Sequence, residues 1–216
     1  NTPLPINTPT PAPTPMISGA KRVVRSESFD KRPTIFGLQG QFDITGSVLT
    51  LFDKAPASGL TEWEDGYSAL SSLFSPTIGN ASVVLFKAER QTKFLIFYGF
   101  GSWGSTNYRA FWLDGYSTGN ADWRFYEGDV VGKDNVAKLV LPVVPFKRDT
   151  WYYLLYRLNA KGLMYARLSE KDNPLSIVEF RQDFGELWAT NRFKFEISVA
   201  QGKVHIDEFQ ELEMPD

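Results

Sequence analysis

Aromatic side chains are concentrated in the middle of the chain, among polar residues that could hydrogen-bond to a ligand. Twelve aromatic residues fall within residues 94–126, whereas aromatic residues make up 15% of the whole sequence. Trp103 is flanked by Gly and Ser, and Trp123 follows a Gly-Asn-Ala-Asp segment, so we expect both to lie on loops with partly exposed rings. An exposed indole offers a flat face on which a sugar ring can pack, and Asn, Asp and Arg side chains can bind its hydroxyl groups. The residues predicted to bind a ligand are Trp103, Asn107, Arg109, Trp112, Asp114, Tyr116, Asn120, Asp122, Trp123 and Arg124.

Other kinds of chemistry have few residues to support them. The chain has no Cys, which excludes thiol nucleophiles, thiol redox chemistry and Cys-ligated metals. A His-based zinc site or a Ser-His-Asp triad would depend on the single His205, which alternates with Val204 and Ile206 and is predicted to face outward from the last strand.

Charge and hydropathy exclude two classes of partner. With 23 basic and 25 acidic residues the net charge is -2, so nothing attracts the chain over long range to nucleic acid or anionic lipid. No apolar run approaches the roughly 18 residues that a membrane-spanning helix needs, and we predict no direct membrane insertion.

Residues 1–16 are predicted to be a linker outside the folded domain. Their sequence alternates Pro with Thr, Ala and Asn and contains no charge. Pro fixes the backbone and removes a hydrogen-bond donor, so such a run favours an extended, semi-rigid spacer. Because the chain begins at Asn1 rather than Met, we interpret it as part of a larger, extracellular protein with other domains; a simple disordered tail is the alternative.

From residue 17 to residue 216 the sequence has the pattern of an all-β domain. Short runs rich in β-branched and aromatic residues occur at 48–52, 82–86, 94–98, 151–156 and 193–197, and most are bounded by Gly, Pro, Asn or Asp. The best candidate for a helical stripe, at 59–73, is interrupted by Gly66 and predicts one turn at most. We expect about twelve to fifteen strands in a two-sheet antiparallel β-sandwich, a jelly roll.

Several strand pairs resemble those of concanavalin A-like lectin/glucanase domains. The resemblance rests on a first hairpin at Ser28-Phe29-Asp30 and Phe42–Leu51, and on closing strands at Asp149–Leu154, Leu163–Leu168 and Val204–Phe209. The resemblance implies a concanavalin A-like jelly roll. That superfamily includes lectins, laminin-G-like modules, carbohydrate-binding modules and glycoside hydrolases, so the fold does not choose among these functions.

The resemblance also supplies a test for an enzyme. Retaining glucanases of this fold carry two carboxylates on one strand, at a Glu-x-Asp-x-Glu or similar spacing, which sets them about 5 to 5.5 Å apart. The sequence lacks this motif. The nearest clusters are Glu62 and Glu64, in an expected loop, and Asp207, Glu211 and Glu213, which would line a solvated face of the last strand.

A structural calcium ion is a further implication of the resemblance. In many β-sandwich carbohydrate-binding modules, an Asp in a closing Ile-Asp-x-Phe/Val segment joins a Glu near the start of the domain in such a calcium site. Asp207, with Glu27 or Asp30, would be the matching residues here. Calcium takes about six to eight oxygen ligands, so surface or strand-end roles for these residues are the alternative.

These observations favour a non-catalytic, extracellular, lectin-like module that binds a glycan at the end of a Thr/Pro spacer. The alternatives are a sensor or adhesion domain of a membrane receptor that binds a protein or small ligand, and a glycoside hydrolase with an altered motif. The aromatic cluster also has a structural alternative, in which its loops fold back and bury the Trp rings. Asn80-Ala81-Ser82 matches a glycosylation sequon, a short motif that occurs often.

Overall fold

A computed structural model describes residues 17–52, 67–100, 107–115, 121–129, 137–140, 146–183 and 193–215. These residues form fifteen strands in two sheets. Sheet A contains β1 (Arg22–Glu27), β3 (Gln41–Thr45), β4 (Val48–Phe52), β6 (Ala81–Ala88), β11 (Tyr152–Leu158), β12 (Leu163–Glu170), β13 (Asn173–Asp183) and β15 (Lys203–Glu213). Sheet B contains β2 (Phe36–Gln39), β5 (Ser68–Ser72), β7 (Lys93–Phe100), β8 (Asn107–Gly115), β9 (Ala121–Asp129), β10 (Ala137–Val140) and β14 (Phe193–Gln201).

Every pairing within the two sheets is antiparallel. The order in sheet A is β13-β12-β11-β6-β15-β4-β3, with β1 also pairing with β15, and the order in sheet B is β10-β9-β8-β7-β14-β5-β2. The predicted all-β, two-sheet sandwich is therefore confirmed. Where the candidate helical stripe at 59–73 is described, it forms strand β5. Within the described residues we find no helix long and apolar enough to cross a membrane.

The main core lies between the sheets and is rich in aromatic rings. On β7, Phe94, Ile96 and Tyr98 alternate toward this core. The Tyr98 ring stacks on Tyr156 of sheet A, with centroids 5.1 Å apart, and the Tyr156 hydroxyl donates to the Ile96 carbonyl at 3.1 Å. Burial raises the pKa values of Tyr98 and Tyr156 well above their usual value, so both hydroxyls stay protonated. The two tyrosines thus fix one sheet against the other.

A second apolar cluster covers part of the outer face of sheet A. It is built from Ala81, Val83, Leu155 and Leu212, which alternate with core residues along their strands. Ile17, Ala20 and Val23 from the start of the described chain pack against it, together with Tyr153, Tyr165 and Met214. The polypeptide that follows residue 16 therefore runs over the outer face of sheet A.

A β-bulge changes which residues of the last strand are buried. The pairing of β15 with β6 shifts between Ile206 and Glu208, so the alternation restarts with Phe209 facing the core. Glu211 then shares the side of Phe209 and is 0% exposed. The prediction that Glu211 lies on a solvated face is wrong, because an extra residue in the bulge reverses the expected alternation.

Candidate functional site

The outer face of sheet B carries an aromatic pair that is separate from the core. Phe97 on β7 and Trp112 on β8 are direct register partners with ring centroids 6.1 Å apart. They alternate with the core residues Ile96 and Phe111, so they lie on the opposite side of the sheet. Each is 5% exposed. The pair therefore forms an apolar floor rather than a freely exposed stacking platform.

A half-buried carboxylate lies beside this floor. Glu196 on β14 is the register partner of Phe97 on one side and of Ser71 on the other. Its Oε2 accepts the Ser71 hydroxyl at 2.7 Å and its Oε1 accepts the Ser198 hydroxyl at 2.8 Å. Burial, and to a smaller extent the negative charge of Glu196, raises the pKa of Tyr67, so this neighbouring hydroxyl stays protonated. A cluster of hydroxyl groups and one carboxylate results.

Several sequence-predicted residues on β8 and β9 are backbone register partners. Trp112 pairs with Arg124, and Asp114 pairs directly with Asp122. One line of paired positions therefore runs Ser71, Glu196, Phe97, Trp112 and Arg124 across five adjacent strands. At the usual strand spacing this line is about 19 Å long.

The other predicted ligand residues fall elsewhere or outside the described part of the chain. Asn107 pairs with Asp129, and Arg109 pairs with Phe100 and Glu127, toward the opposite end of β8 from Asp114. Trp103, Tyr116 and Asn120 lie outside the described residues, as do Glu62 and Glu64.

Trp123 is a core residue. It lies within β9, pairs with Leu113 and is 2% exposed. Its ring lies 5.2 Å from Phe111 and 6.2 Å from Tyr156. The prediction that Trp123 sits on a loop with a partly exposed ring is wrong, because strand β9 begins at Ala121 and places Trp123 between the sheets.

The three residues considered as calcium ligands already have other partners or lie apart. The Glu27 carboxylate accepts the Thr34 amide at 3.2 Å, and the Asp30 carboxylate accepts the hydroxyls of Ser28, at 2.7 Å, and of Ser47. Asp207 lies at the bulge of β15. Within the described ranges no group of three or more Asp, Glu or His side chains is placed to hold a metal ion. We therefore derive no role for calcium from this arrangement.

His205 and the sequon residue Asn80 have structural partners. His205 lies on the outer face of sheet A, where Nδ1 is 2.9 Å from the Thr50 hydroxyl and Nε2 is 2.8 Å from Glu89 Oε1. The Asn80 amide donates to Glu211 Oε1 at 3.1 Å, and Ser82 of the same sequon is buried. In the folded chain the sequon is part of the packed structure.

Sequence reasoning missed Glu196, Ser71 and Ser198. A signal was present in β14, where Lys194, Glu196 and Ser198 alternate with apolar residues and so mark a polar face. Ser71 is 125 positions away from Glu196, and only the register of β5 with β14 connects them.

Comparison with known proteins identifies the fold. No protein-family model matches the sequence, and no curated protein matches it significantly. Among solved structures, the exoplasmic/lumenal domain of VIP36, bound to Ca²⁺ and Man3GlcNAc, aligns with a TM-score of 0.58 at 13% identity, over 84% of this chain and 85% of that chain. A structure from work on endo-acting O-glycanases of the human gut microbiota aligns with a TM-score of 0.63 at 10% identity, over 90% of this chain and 100% of that chain.

A third solved structure, a Bacillus licheniformis β-glucanase, aligns with a TM-score of 0.59 at 8% identity, over 89% of this chain and 98% of that chain. The lectin domains and β-glucanases among these neighbours are concanavalin A-like jelly rolls. The chain therefore has the concanavalin A-like jelly-roll fold, as the resemblance implied.

Proposed function

We propose that the chain is a non-catalytic, extracellular, lectin-like module that binds a glycan across the outer face of sheet B. The observation that carries this proposal is the paired row of Ser71, Glu196, Phe97, Trp112 and Arg124. An extended row of hydroxyl, carboxylate, aromatic and guanidinium groups has the chemistry to bind several sugar residues along a chain.

Glu196 is the residue that we expect to accept hydrogen bonds from the hydroxyl groups of the ligand. Its two oxygens already accept hydroxyl groups, from Ser71 and Ser198, and a sugar presents donors of the same kind. A carboxylate has about four lone-pair positions, so one donor on each oxygen leaves capacity for a bound hydroxyl. Phe97 and Trp112 beside it are each 5% exposed, so they make the surroundings of the carboxylate apolar and offer a ligand little direct contact area.

The path of the N-terminal segment supports display on a spacer. Ile17 and Ala20 pack on the outer face of sheet A, on the opposite side of the sandwich from the proposed glycan face. A spacer formed by residues 1–16 would then leave sheet B facing away from whatever precedes it. VIP36, one of the solved neighbours, is described as an exoplasmic/lumenal domain, which is consistent with an extracellular setting.

Glycoside hydrolysis is a second candidate because Asp114 and Asp122 are direct register partners. Opposed carboxylates on neighbouring strands repel each other unless a proton, a cation or a ligand compensates. Two carboxyl groups about 5 to 5.5 Å apart are also what retaining hydrolysis requires. Product analysis with the bound glycan separates this function from binding alone.

The test is titration of intrinsic Trp fluorescence and calorimetry with a panel of soluble glycans, with and without a calcium chelator. We expect saturable binding of at least one glycan, weakened about tenfold by Glu196→Gln, since one hydrogen bond to a charged acceptor contributes about 1.5 kcal/mol. Arg124→Ala should weaken binding of the same glycan. Trp123→Ala is unsuitable as a binding variant, because it removes a core ring.

Glu170→Gln is the matched control. Glu170 also accepts a serine hydroxyl, from Ser176 at 3.0 Å, but it lies on sheet A. Equal losses of glycan affinity in Glu170→Gln and Glu196→Gln would reject the proposed site. Absence of binding to every glycan would reject the proposed function in favour of a protein or small-molecule ligand. Loss of binding with the chelator would assign calcium a role.

A further inference from the structure

Strand β13 forms the longest edge of either sheet among the described residues. It runs from Asn173 to Asp183 and pairs on one side with β12, whereas no described strand pairs with its other side. The remaining edge strands are β1, β2, β3 and β10, of six, four, five and four residues. Short edge strands limit unwanted pairing, so β13 is the edge best able to accept another strand.

The second half of β13 lacks the Pro, Lys and β-bulge that often protect an edge. Pro174 and the register shift opposite Ser169 and Glu170 affect only its beginning. From Ile177 to Asp183 the pairing with β12 is regular, and this stretch contains no Pro, Gly or Lys. Leu175 is 92% exposed and Ile177 is 40% exposed on the same strand. Among the described residues, this edge therefore combines backbone groups that no strand pairs with and exposed apolar side chains near its beginning.

We infer that β13 pairs with β13 of a second copy of this chain, antiparallel and centred on Phe180. In this register Glu179 of each copy lies opposite Arg181 of the other, which gives two opposite-charge cross-strand pairs related by a twofold axis. Such self-complementarity selects a second copy over an unrelated partner. A centre at Val178 would instead oppose Ile177 with Glu179 and lose both charge pairs.

The side chains that would form these pairs are already held on the outer face of sheet A. The Tyr165 hydroxyl donates to Glu179 Oε1 at 2.6 Å, and the Arg181 guanidinium lies 5.7 Å from the centre of the Tyr165 ring. Both charged groups are therefore ordered around one tyrosine before a partner arrives. Ordered side chains lose less conformational entropy on association than free ones.

The predicted dimer has a consequence for ligand binding, which rests on the proposed function. An antiparallel pair joins the two A sheets into one continuous sheet and keeps equivalent faces on the same side. Both B-sheet faces would then point in one direction, with both N-terminal segments on the other side. Two weak glycan sites held this way bind a polymeric ligand with avidity that neither has alone.

The test is sedimentation equilibrium of the whole chain without glycan, so that its outcome is independent of the proposed function. We expect a monomer–dimer equilibrium at concentrations up to about 100 μM. Glu179→Arg and Arg181→Glu should each raise the dimer dissociation constant about tenfold, because each replaces two attractive pairs by two repulsive ones. The double variant E179R/R181E restores opposite charges and should return the constant to within about twofold of the original.

Asp43→Arg is the matched control, since Asp43 is an exposed charge on β3 at the other edge of sheet A. It should leave the dimer unchanged, and thermal unfolding of every variant verifies that each is folded. A chain that stays monomeric throughout the concentration range overturns the proposal. So does a dimer that the double variant fails to restore, or one that Asp43→Arg weakens as much as Glu179→Arg.

Discussion

Glu211 and Glu196 lie on β15 and β14, the last two strands of the chain, yet they occupy very different surroundings. The Glu211 side chain is fully buried and accepts from Arg25 Nη1 at 2.8 Å, the Thr77 amide at 2.7 Å and Asn80 Nδ2 at 3.1 Å. Glu196 is half-buried, and its hydrogen-bond partners among the described residues are two serine hydroxyls. One carboxylate is fixed by a cation and two amides, and the other by groups that can rotate.

The difference separates a structural carboxylate from one suited to bind a ligand. The donors of Glu211 belong to β1 and to the segment between β5 and β6, so this carboxylate joins three parts of the fold, and a ligand could replace them only if the chain opened. A serine hydroxyl can turn away without moving the backbone, and a sugar hydroxyl can take its place. We therefore expect substitutions at Glu211 to affect stability and substitutions around Glu196 to affect binding.

The largest effect on stability should come from Glu211→Ala. It removes the partner of the half-buried Arg25 guanidinium and leaves the Thr77 backbone amide unpaired, which should lower the free energy of unfolding by about 3 kcal/mol. For a domain of this size the melting temperature should fall by roughly 10 °C. Glu213→Ala is the control, since its ion pair with Arg22 is solvent-exposed and should have little effect on denaturant unfolding. Equal losses in the two variants would mean that burial of Glu211 does not matter.

We expect a smaller loss of stability when the hydroxyl groups that donate to Glu196 are removed. Ser71→Ala and Ser198→Ala each delete one hydroxyl hydrogen bond, so each should cost about 1 kcal/mol or less in urea unfolding. If the double variant lost as much stability as Glu211→Ala, Glu196 would be a structural residue like Glu211, and the contrast between the two carboxylates would not hold.

The sequence predicted the fold better than it predicted the surroundings of these carboxylates. Alternation and turn residues were sufficient to indicate an all-β sandwich, because they depend on local backbone geometry. The burial of Glu211 depends on one extra residue in the bulge after Ile206, which no local pattern marks. The contact of Glu196 with Ser71 depends on the register of distant strands.

The aromatic region illustrates the same limit. Trp112, Asp114, Asp122 and Arg124 were selected by residue type, and the structure adds that they are cross-strand partners on β8 and β9. Trp123 was selected by its Gly-Asn-Ala-Asp context, but the strand begins at Ala121 and so buries the ring. The position of the strand boundary, which the sequence did not locate, decides whether this residue faces a ligand or the core.

Glu208 is a third carboxylate for comparison, and it is partly buried with one hydrogen bond from a neighbouring amide. Burial, and then the charge of Asp207, raises its pKa, although the Gln210 amide donates to it at 2.6 Å. A carboxyl group whose pKa is higher in the folded state destabilises the fold when ionised, and this penalty disappears as the pH falls through that pKa. Glu208→Gln should therefore raise the unfolding free energy at pH 7 by about 0.5 kcal/mol or less, given its partial exposure. A loss of stability at neutral pH would show that its ionised form is needed.

Asp30 should give the smallest effect, and it tests whether serine hydroxyls alone can stabilise a carboxylate of this fold. Its oxygens accept the hydroxyls of Ser47 and Ser28, and these bonds lower its pKa below the usual 3.8 although the side chain is exposed. Because the pKa is lower in the folded state, the stabilisation is present above pH 3.8 and is lost as the pH falls through the folded-state value. Asp30→Asn should thus melt slightly below the parent chain at pH 7 and together with it in strong acid. A difference that persists in acid would mean that the carboxylate charge is not what the two serines stabilise, and the same doubt would then extend to Glu196.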